Sequence, residues 1–379
     1  MKKKIMLVFG TRPEAIKMAP LYHALKAESD AFETLACVTA QHRQMLDQVL
    51  EAFDIVPDID LDLMKSGQDL YDVTSSVLLG MRDVLKNNRP DILLVHGDTT
   101  TTLASSLAAF YAGVRVGHVE AGLRTHDLSA PFPEELNRQV ATKLSHWHFA
   151  PTATSRDNLL KEGVPAAQIE VTGNTVVDAL FWTLDRIEQD PAVRDAIVAR
   201  LGGMLNFDWH SDKYVLITGH RRENFGEGFL QICHALKDLA ELYPQVHFVY
   251  PVHLNPNVQE PVRKILAGVS NIHLIEPLDY QPFVYLLKNC HLVLTDSGGI
   301  QEEAPSLGKP VLVMREVTER PEAVNAGTVR LVGAHRDRIF AGVRELLDDP
   351  EAYRQMSRAH SPYGDGKSSE KIIEILGAD

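Results

Sequence analysis

DILLVHGDT, at residues 91–99, is the stretch of sequence that decides the fold. A continuous apolar run ends in Gly-Asp-Thr, and polar and apolar positions do not alternate within it. Such runs are typical of strands that helices cover on both faces, and therefore of parallel sheets. The polar residues that follow lie at the carboxyl end of the predicted strand, which is where doubly wound sheets bind their ligands.

Similar runs recur in both halves of the chain, separated by helical patterns. The first half contains IMLVFG (5–10), TLACVTA (34–40), VRVGHVEAG (114–122) and HWHFAPT (146–152). The second half contains YVLITGH (214–220), VHFVYPVH (246–253), IHLIEP (272–277), LVLTDSG (292–298), PVLVM (310–314) and TVRLVG (328–333). This alternation predicts an α/β fold with two Rossmann-like, doubly wound domains.

The length of the chain, 379 residues, also favours two domains, because one hydrophobic core seldom supports so many residues. We place the first domain at residues 1–180 and the second at residues 200–360. Residues 361–379 are predicted to form a C-terminal helix that crosses back to the first domain.

Charge and cysteine content exclude several classes of protein. The formal net charge of -13 opposes general binding to nucleic acid or to an anionic membrane. No uncharged apolar run approaches the roughly 20 residues of a membrane helix. Cys37, Cys233 and Cys290 are widely spaced without a CxxC pattern, which argues against a disulfide framework or a zinc site and favours the reducing cytoplasm.

The loop after the first predicted strand reads GTRPEAIK at residues 10–17. It matches neither the GxGxxG dinucleotide loop nor the GxxxxGK[ST] phosphate loop, so it predicts neither NAD nor ATP. Arg12 and Lys17 are candidates to face a sugar diphosphate, although each could equally be an ordinary surface charge.

Two further strand-to-helix junctions carry polar residues, GHRREN at residues 219–224 and TDSGGIQEE at residues 295–303. Ser297 and the two glycines after it can present a hydroxyl and backbone amides to an anion, and a plain helix start is the alternative. His220 is a candidate partner of a diphosphate or a packing residue. Glu303 is a candidate to accept hydrogen bonds from a ribose diol or an exposed helical charge.

Carboxylates follow the predicted strands of the first half. Asp98 and Glu120 each end an apolar run, and Glu134 and Glu135 begin a helical pattern. Carboxylates at strand ends suit proton transfer. Arg138 lies one helical turn after the glutamate pair, where a structural ion pair is the plainer interpretation.

Histidines that fall within strand patterns are expected to pack in the core: His118, His146 and His148. The histidines and carboxylates do not form a metal-ligand spacing such as HExxH, so no metal site is predicted.

Nine motifs occur in an order that closely resembles the non-hydrolysing UDP-N-acetylglucosamine 2-epimerases. They are GTRPEAIK, HGDTTTT, GHVEAGLRT, PFPEELNR, TGNTVVDAL, GHRRENFG, PVHLNPNV, TDSGGIQEEAP and TERPEA. Several extend over eight or more residues, and the resemblance continues to YGDG at residues 363–366. The similarity is therefore specific and covers nearly the whole chain.

The resemblance implies a glycosyltransferase-B-like pair of domains with the active site in the cleft between them. It also implies a homodimer that uses neither NAD nor an obligatory metal. UDP-N-acetylglucosamine and UDP-N-acetylmannosamine would interconvert by elimination of UDP, giving 2-acetamidoglucal, and by re-addition of UDP after the proton returns on the opposite face. The product would be a precursor of bacterial surface polysaccharide.

Residue by residue, the resemblance assigns roles to matching positions. The catalytic group would be Asp98, Glu120, Glu134 and His220. The substrate-binding group would be Arg12, Lys17, Arg138, Phe283, Ser297, Gly298, Gly299, Glu303 and Arg320.

A second UDP-N-acetylglucosamine site, through which substrate activates turnover, is known in many relatives. Parts of that site match Gln41, Gln44, Glu135 or its neighbour Glu134, Arg221 and His253. The chain departs from the pattern at Gly67, where some relatives have an arginine.

Four alternatives share the same fold class. A hydrolysing relative would release free N-acetylmannosamine, but such relatives generally lack the intact GTRPEAIK pattern. Relatives that act on uronic-acid sugars are disfavoured by Lys17 and by the TTTT run. A glycosyltransferase needs an acceptor site, and no amphipathic membrane-docking stretch for a lipid acceptor is evident. A non-catalytic nucleotide-sugar binder would not require so many carboxylates at strand ends.

Overall fold

The computed structural model describes residues 2–40, 43–65, 67–358 and 361–378, without the side chains of residues 43 and 44. The chain divides into two compact units. Unit 1 comprises Met1–Trp182 together with Tyr363–Asp379, and unit 2 comprises Thr183–Pro362.

Unit 1 is built on a seven-stranded parallel sheet in the order β3-β2-β1-β4-β5-β6-β7. Its strands are β1 (Lys3–Phe9), β2 (Phe32–Val38), β3 (Ile59–Asp60), β4 (Ile92–His96), β5 (Arg115–Val119), β6 (Trp147–Ala150) and β7 (Ile169–Val171). The helices that begin in this unit are α1 (Arg12–Ala27), α2 (Arg43–Ala52), α3 (Leu70–Asn88), α4 (Thr100–Ala112), α5 (Glu134–Leu144), α6 (Ala153–Lys161) and α7 (Thr175–Gln189).

Unit 2 is built on a six-stranded parallel sheet in the order β10-β9-β8-β11-β12-β13. Its strands are β8 (Tyr214–Thr218), β9 (His247–Pro251), β10 (Ile272–Ile275), β11 (Leu292–Thr295), β12 (Val311–Val313) and β13 (Val329–Leu331). Its helices are α8 (Pro191–Met204), α9 (Glu227–Leu242), α10 (Pro256–Leu266), α11 (Tyr280–Asn289), α12 (Ile300–Ser306), α13 (Pro321–Asn325), α14 (Arg336–Asp348) and α15 (Pro350–Arg358). The last helix of the chain, α16 (Ser368–Ala378), belongs to unit 1.

Burial of the central strands explains why the sequence forms parallel sheets. Residues 5–9 of β1 and residues 92–95 of β4 are completely buried, so the two faces of each strand need apolar side chains. The same holds for residues 292–294 of β11 in unit 2. The predicted fold class, an α/β protein of two Rossmann-like domains, is confirmed.

The sequence prediction missed β3 and β7, which have two and three residues. Strands this short carry too few residues for a periodic pattern, and β7 is exposed at Glu170 and Val171 at the edge of the sheet. Among the described residues, no helix is both long enough and apolar enough to span a membrane.

Candidate active site

The carboxyl ends of three neighbouring strands place polar loops side by side in unit 1. β1 pairs with β4, and β4 pairs with β5, all in parallel, so the loops that follow them share one edge of the sheet. Arg12 begins α1 after the first loop, Asp98 lies two residues beyond β4, and Glu120 directly follows β5. The strand-end positions that the sequence suggested are therefore adjacent in the fold.

Glu14 connects the first two of these loops. It is 2% exposed, and its Oε2 accepts hydrogen bonds from the backbone of Gly10 (3.1 Å) and Thr11 (2.9 Å). Its Oε1 accepts one from Thr99 Oγ1 at 2.6 Å, beside Asp98. Burial raises the pKa of Glu14, and these hydrogen bonds only partly offset that effect. The loop that carries Arg12 and the loop that carries Asp98 are thus held together.

Glu120 is a buried carboxylate with several polar neighbours. Its Oε2 forms an ion pair with Lys17 Nζ and accepts a hydrogen bond of 2.8 Å from Asn174 Nδ2. The Nε2 atom of the buried His96 lies 3.8 Å from the same oxygen. Glu120 has a φ of 63°, a left-handed conformation that is uncommon for residues other than glycine. The backbone at this strand end is therefore strained.

Arg138 connects Asp98 with the start of α5. Its Nη2 lies 2.5 Å from Asp98 Oδ2, and its Nη1 lies 3.1 Å from Glu135 Oε2. Asn137 Nδ2 donates to the backbone oxygen of Asp98 at 2.8 Å. The ion pair between Arg138 and Glu135, which the sequence suggested as a structural contact, is formed, and Arg138 also contacts Asp98.

Glu134 and Glu135 have different surroundings although they are consecutive. Glu135 is fully buried and accepts hydrogen bonds from the backbone of Thr125 and His126. Burial alone would raise the pKa of Glu135, but the hydrogen bonds of Gln139 and its other neighbours outweigh it and lower that pKa. Glu134 Oε2 is buried and has no hydrogen-bond partner among the residues that the structure describes. Of the two, Glu134 has the oxygen that is left for a ligand.

In unit 2, His220 follows β8 and lies against the buried Asp296, which follows β11. Asp296 Oδ2 accepts the backbone N–H of His220 and of Arg221, each at 2.9 Å, and the side chain of Asn224 at 3.2 Å. The His220 ring stacks on His253 at a centroid distance of 5.4 Å. Partial burial lowers the pKa of His220, and the attraction of Asp296 only partly offsets this.

The Ser297, Gly298 and Gly299 turn lies between β11 and α12. A Cβ at Gly298 would lie 2.7 Å from Arg320 Nη1, so glycine allows the guanidinium to approach the turn. Arg320 also forms an ion pair with the buried Glu302. The turn that contains Ser297 and the Arg320 guanidinium are therefore close together at the carboxyl edge of the second sheet.

The two residues predicted to hold the nucleoside lie on neighbouring helices of unit 2. Glu303, in α12, is 6% exposed, and its Oε1 accepts a hydrogen bond of 2.8 Å from Tyr280 OH. Phe283 lies one turn into α11, the helix that Tyr280 begins, and is half-buried. The alternative interpretation of Glu303 as an exposed helical charge is wrong, because its side chain is buried.

The residues matched to a second sugar-nucleotide site are only partly described. Gln41 and the side chain of Gln44 lie outside the described residues. Arg221 is half-buried beside His220, and His253 is exposed while it stacks on that residue. Among these residues, the structure brings Arg221 and His253 to the same edge of unit 2.

Sequence reasoning missed several residues of these clusters, among them Glu14, Asn174 and Asp296. The spacing Thr11-x-x-Glu14 before an apolar helix is a capping-box pattern, and it is the signal that would have identified Glu14. Asn174 and Asp296 act through contacts across 54 and 76 residues, for which a single sequence gives no local signal. His118 and His148 are buried in their strands, as predicted. The prediction is wrong for His146, which directly precedes β6 and is exposed.

Chemically, the edge of unit 1 supplies carboxylates that hold or accept protons, with Lys17 and Arg138 beside them. The edge of unit 2 supplies an imidazole, an arginine and a glycine-containing turn. Carboxylates suit general acid and base catalysis, and cations with exposed amides suit a phosphate leaving group.

Comparisons with known proteins assign the chain to a family. The family model described as UDP-N-acetylglucosamine 2-epimerase matches residues 23–377. A Yersinia pestis UDP-N-acetylglucosamine 2-epimerase is 60% identical over 98% of each chain. The crystal structure of the Neisseria meningitidis enzyme bound to UDP-GlcNAc has a TM-score of 0.90 and 50% identity, covering 99% of this chain and 100% of that one. The Methanocaldococcus jannaschii enzyme, in complex with UDP-GlcNAc and UDP, has a TM-score of 0.81 and 33% identity, covering 99% of this chain and 100% of that one. The chain therefore belongs to the UDP-N-acetylglucosamine 2-epimerase family.

Proposed function

We propose that the chain interconverts UDP-N-acetylglucosamine and UDP-N-acetylmannosamine by epimerisation at sugar C2, without net hydrolysis. The observation that carries this proposal is the pair of carboxylates after the adjacent strands β4 and β5, each beside its own cation. Relatives at 60% and 50% identity are named for this activity, and two solved relatives contain UDP-GlcNAc.

The proposed reaction begins with removal of the C2 proton by a carboxylate. The C–H electron pair forms a C1–C2 double bond while the C1–O bond breaks and its electrons leave with UDP, which gives 2-acetamidoglucal. UDP then adds back to C1 as a proton returns to the opposite face of C2. No carbonyl adjoins C2, so the departure of UDP must lower the barrier by developing positive charge at C1.

In this proposal, the proton donors and acceptors come from Asp98, Glu120 and Glu134. Glu134 is suited to the role because its Oε2 is buried without a partner among the described residues. Lys17 and Arg138 form ion pairs with the other two carboxylates, Glu120 and Asp98 respectively.

Unit 2 would bind the nucleotide and stabilise the departing diphosphate. His220 lies just after the end of β8. Arg320 lies beside the turn of Ser297, Gly298 and Gly299, which directly precedes α12. A bound diphosphate favours the protonated form of His220, which then acts as an acid or an electrostatic partner. Arg12 would also bind phosphate, Glu303 would bind ribose, and Phe283 would contact uracil. The proposed active site thus takes residues from both units.

We also propose that the enzyme acts in the cytoplasm and supplies precursors of bacterial surface polysaccharide. Cys37, Cys233 and Cys290 are buried as free thiols, which is compatible with a reducing compartment.

A homodimer is proposed as well, with α3 and α4 of unit 1 as the contact surface. Leu79, Phe110 and Tyr111 are 52%, 60% and 72% exposed on these helices, beside an apolar groove of about 740 Å³. Exposed apolar surface of this kind is typical of protein interfaces. Sedimentation velocity should give a dimer for the wild type and a monomer for Leu79→Glu, whereas the control Leu254→Glu in unit 2 should remain dimeric. A monomeric wild type would contradict the proposal.

The proposed activity is tested by incubating the chain with UDP-N-acetylglucosamine and separating the products by anion-exchange chromatography. UDP-N-acetylmannosamine should accumulate to a fixed ratio while the total nucleotide sugar stays constant. Stoichiometric release of UDP with free N-acetylmannosamine would instead identify a hydrolase.

A further inference from the structure

The C-terminal segment contacts unit 1 directly before α7. The backbone N–H of Asn174 donates to the carbonyl oxygen of Tyr363 at 2.8 Å. Asp178, one turn into α7, accepts the backbone N–H groups of Ser368 and Ser369 at 3.2 and 2.7 Å. The start of α16 is therefore joined to the start of α7 by backbone hydrogen bonds that need no particular side chain in the C-terminal segment.

Close backbone approach explains the two glycines at this contact. Gly173 has a φ of 93°, and a Cβ there would lie 2.8 Å from Ser368 Oγ and 3.1 Å from the Tyr363 carbonyl oxygen. Gly364 has a φ of 110°, and a Cβ there would lie 3.3 Å from Gly173 Cα. Side chains are strained at such φ values, so the contact depends on glycine at both positions.

The side chain of Asn174 has only one orientation that satisfies its hydrogen bonds. Its Oδ1 accepts the backbone N–H of Val176 at 3.1 Å, which leaves the Nδ2 group to donate to Glu120 Oε2 at 2.8 Å. Asn174 is 2% exposed. The C-terminal segment fixes the backbone N–H of Asn174, and the first turn of α7 fixes its side-chain oxygen. The side-chain NH2 group is thereby directed to Glu120.

We propose that Asn174 is a positioning residue for the Glu120 carboxylate and that the returning C-terminal segment sets its place. This inference rests on the proposed catalytic role of Glu120. The segment Tyr363–Ser369 thereby contributes to the rate of the reaction without touching substrate.

Charged and titratable groups face Glu120 from neighbouring elements in the described part of the chain. Lys17 lies on α1, His96 on β4 and His118 on β5. Asn174 adds a neutral donor to this set. Asn174→Asp replaces that donor with a second carboxylate at hydrogen-bonding distance, and like charges at such a distance favour protonation.

The first experiment compares the pH profiles of kcat for the wild type, Asn174→Ala and Asn174→Asp. Asn174→Ala should lose about tenfold or more in kcat with less than a threefold change in KM. Asn174→Asp should move the acidic limb of its profile upward by about one pH unit. Unchanged profiles and kcat values within twofold of the wild type would overturn the proposal. A loss that appears only in thermal stability, with kcat intact, would also overturn it.

The second experiment tests the C-terminal segment with two glycine substitutions. Gly364→Ala should lower kcat in the same way as Asn174→Ala. The control Gly377→Ala should not, since a Cβ there would meet only Phe32 Cζ, at an ordinary 3.8 Å. Equal kcat values for the two variants would overturn the role of the segment. Circular dichroism checks folding, and if Gly364→Ala does not fold, the Asn174 variants alone decide.

Glu120→Gln separates the two ways in which the proposal can fail. If Glu120→Gln keeps the wild-type rate, the catalytic assignment of Glu120 is wrong and the positioning role is overturned with it. If Glu120→Gln is inactive while the Asn174 variants behave as the wild type, only the positioning role is overturned.

Discussion

The guanidinium of Arg138 lies 2.5 Å from the carboxylate of Asp98, across 40 residues of sequence. The same guanidinium contacts Glu135 through its second terminal nitrogen at 3.1 Å. Burial alone would lower the pKa of Arg138, but Asp98 and Glu135 outweigh it and raise that pKa. One cation therefore fixes the carboxylate after β4 to the first turn of α5.

Arg138→Lys is expected to lower kcat/KM by about tenfold or more while the chain still folds. A lysine ammonium cannot reproduce the two-pronged contact with Asp98 and Glu135. Steady-state kinetics and thermal unfolding of the variant measure both effects. The exposed pair of Arg354 and Glu351 offers a control, because Arg354→Lys should leave kcat/KM unchanged. A kcat/KM for Arg138→Lys equal to that of the control would show that the bidentate geometry does not matter.

Asp98→Asn and Glu120→Gln should each fold normally and lose at least about a hundredfold in kcat, the scale expected for one general acid or base. Both substitutions keep the shape of the side chain and remove its charge. Single-turnover rates and circular dichroism of the purified variants provide the test. A variant that retains its rate removes that residue from the mechanism.

The fold was predictable because its evidence is local. The apolar runs at residues 91–99 and 292–298 identify central strands without any knowledge of their neighbours. The strand-end carboxylates Asp98 and Glu120 follow from the same runs. Their partners do not, because Arg138 and Asn174 reach them from 40 and 54 residues away. Such contacts depend on the packing of helices onto the sheet, which a single sequence does not encode locally.

Activation by substrate provides a separate prediction. If the second UDP-N-acetylglucosamine site is retained, the initial rate with UDP-N-acetylmannosamine alone should be very low and should rise when a trace of UDP-N-acetylglucosamine is added. A coupled assay that follows UDP-N-acetylglucosamine formation would show a lag with UDP-N-acetylmannosamine alone and no lag when the trace is present. Equal initial rates with and without the trace would refute activation, and Gly67 would then mark the loss of the site.

Stability should fall in mild acid because of buried histidines in unit 1. Burial lowers the pKa of His148 to about 3 and those of His96 and His118 to about 4, against 6.5 for an ordinary imidazole. Above pH 6.5 these rings are neutral in both the folded and the unfolded chain, and the stability is fully present. As the pH falls from 6.5 toward 4, the unfolded chain binds protons that the buried rings do not, so the free energy of unfolding decreases. Each group accounts for on the order of 3 kcal/mol over this range.

His148→Leu should therefore reduce the loss of unfolding free energy that accompanies a fall in pH. Urea unfolding of the wild type and of the variant at pH 7.5, 6.0 and 5.0 measures the effect. As the pH falls, the urea midpoint of the wild type should decrease more than that of the variant. A gap between the two midpoints that does not change with pH would contradict the assignment of acid sensitivity to this buried ring.

The central claim is that the C2 proton is exchanged while the nucleotide sugar is broken and remade. The most direct test is incubation with UDP-N-acetylglucosamine in deuterium oxide, followed by proton NMR of the intact nucleotide sugars. The C2 proton signal should disappear from UDP-N-acetylmannosamine as it forms and from UDP-N-acetylglucosamine as the reaction reverses, with UDP attached in both. Epimerised product that keeps its C2 proton, or deuterium found only in free N-acetylmannosamine, would contradict this account.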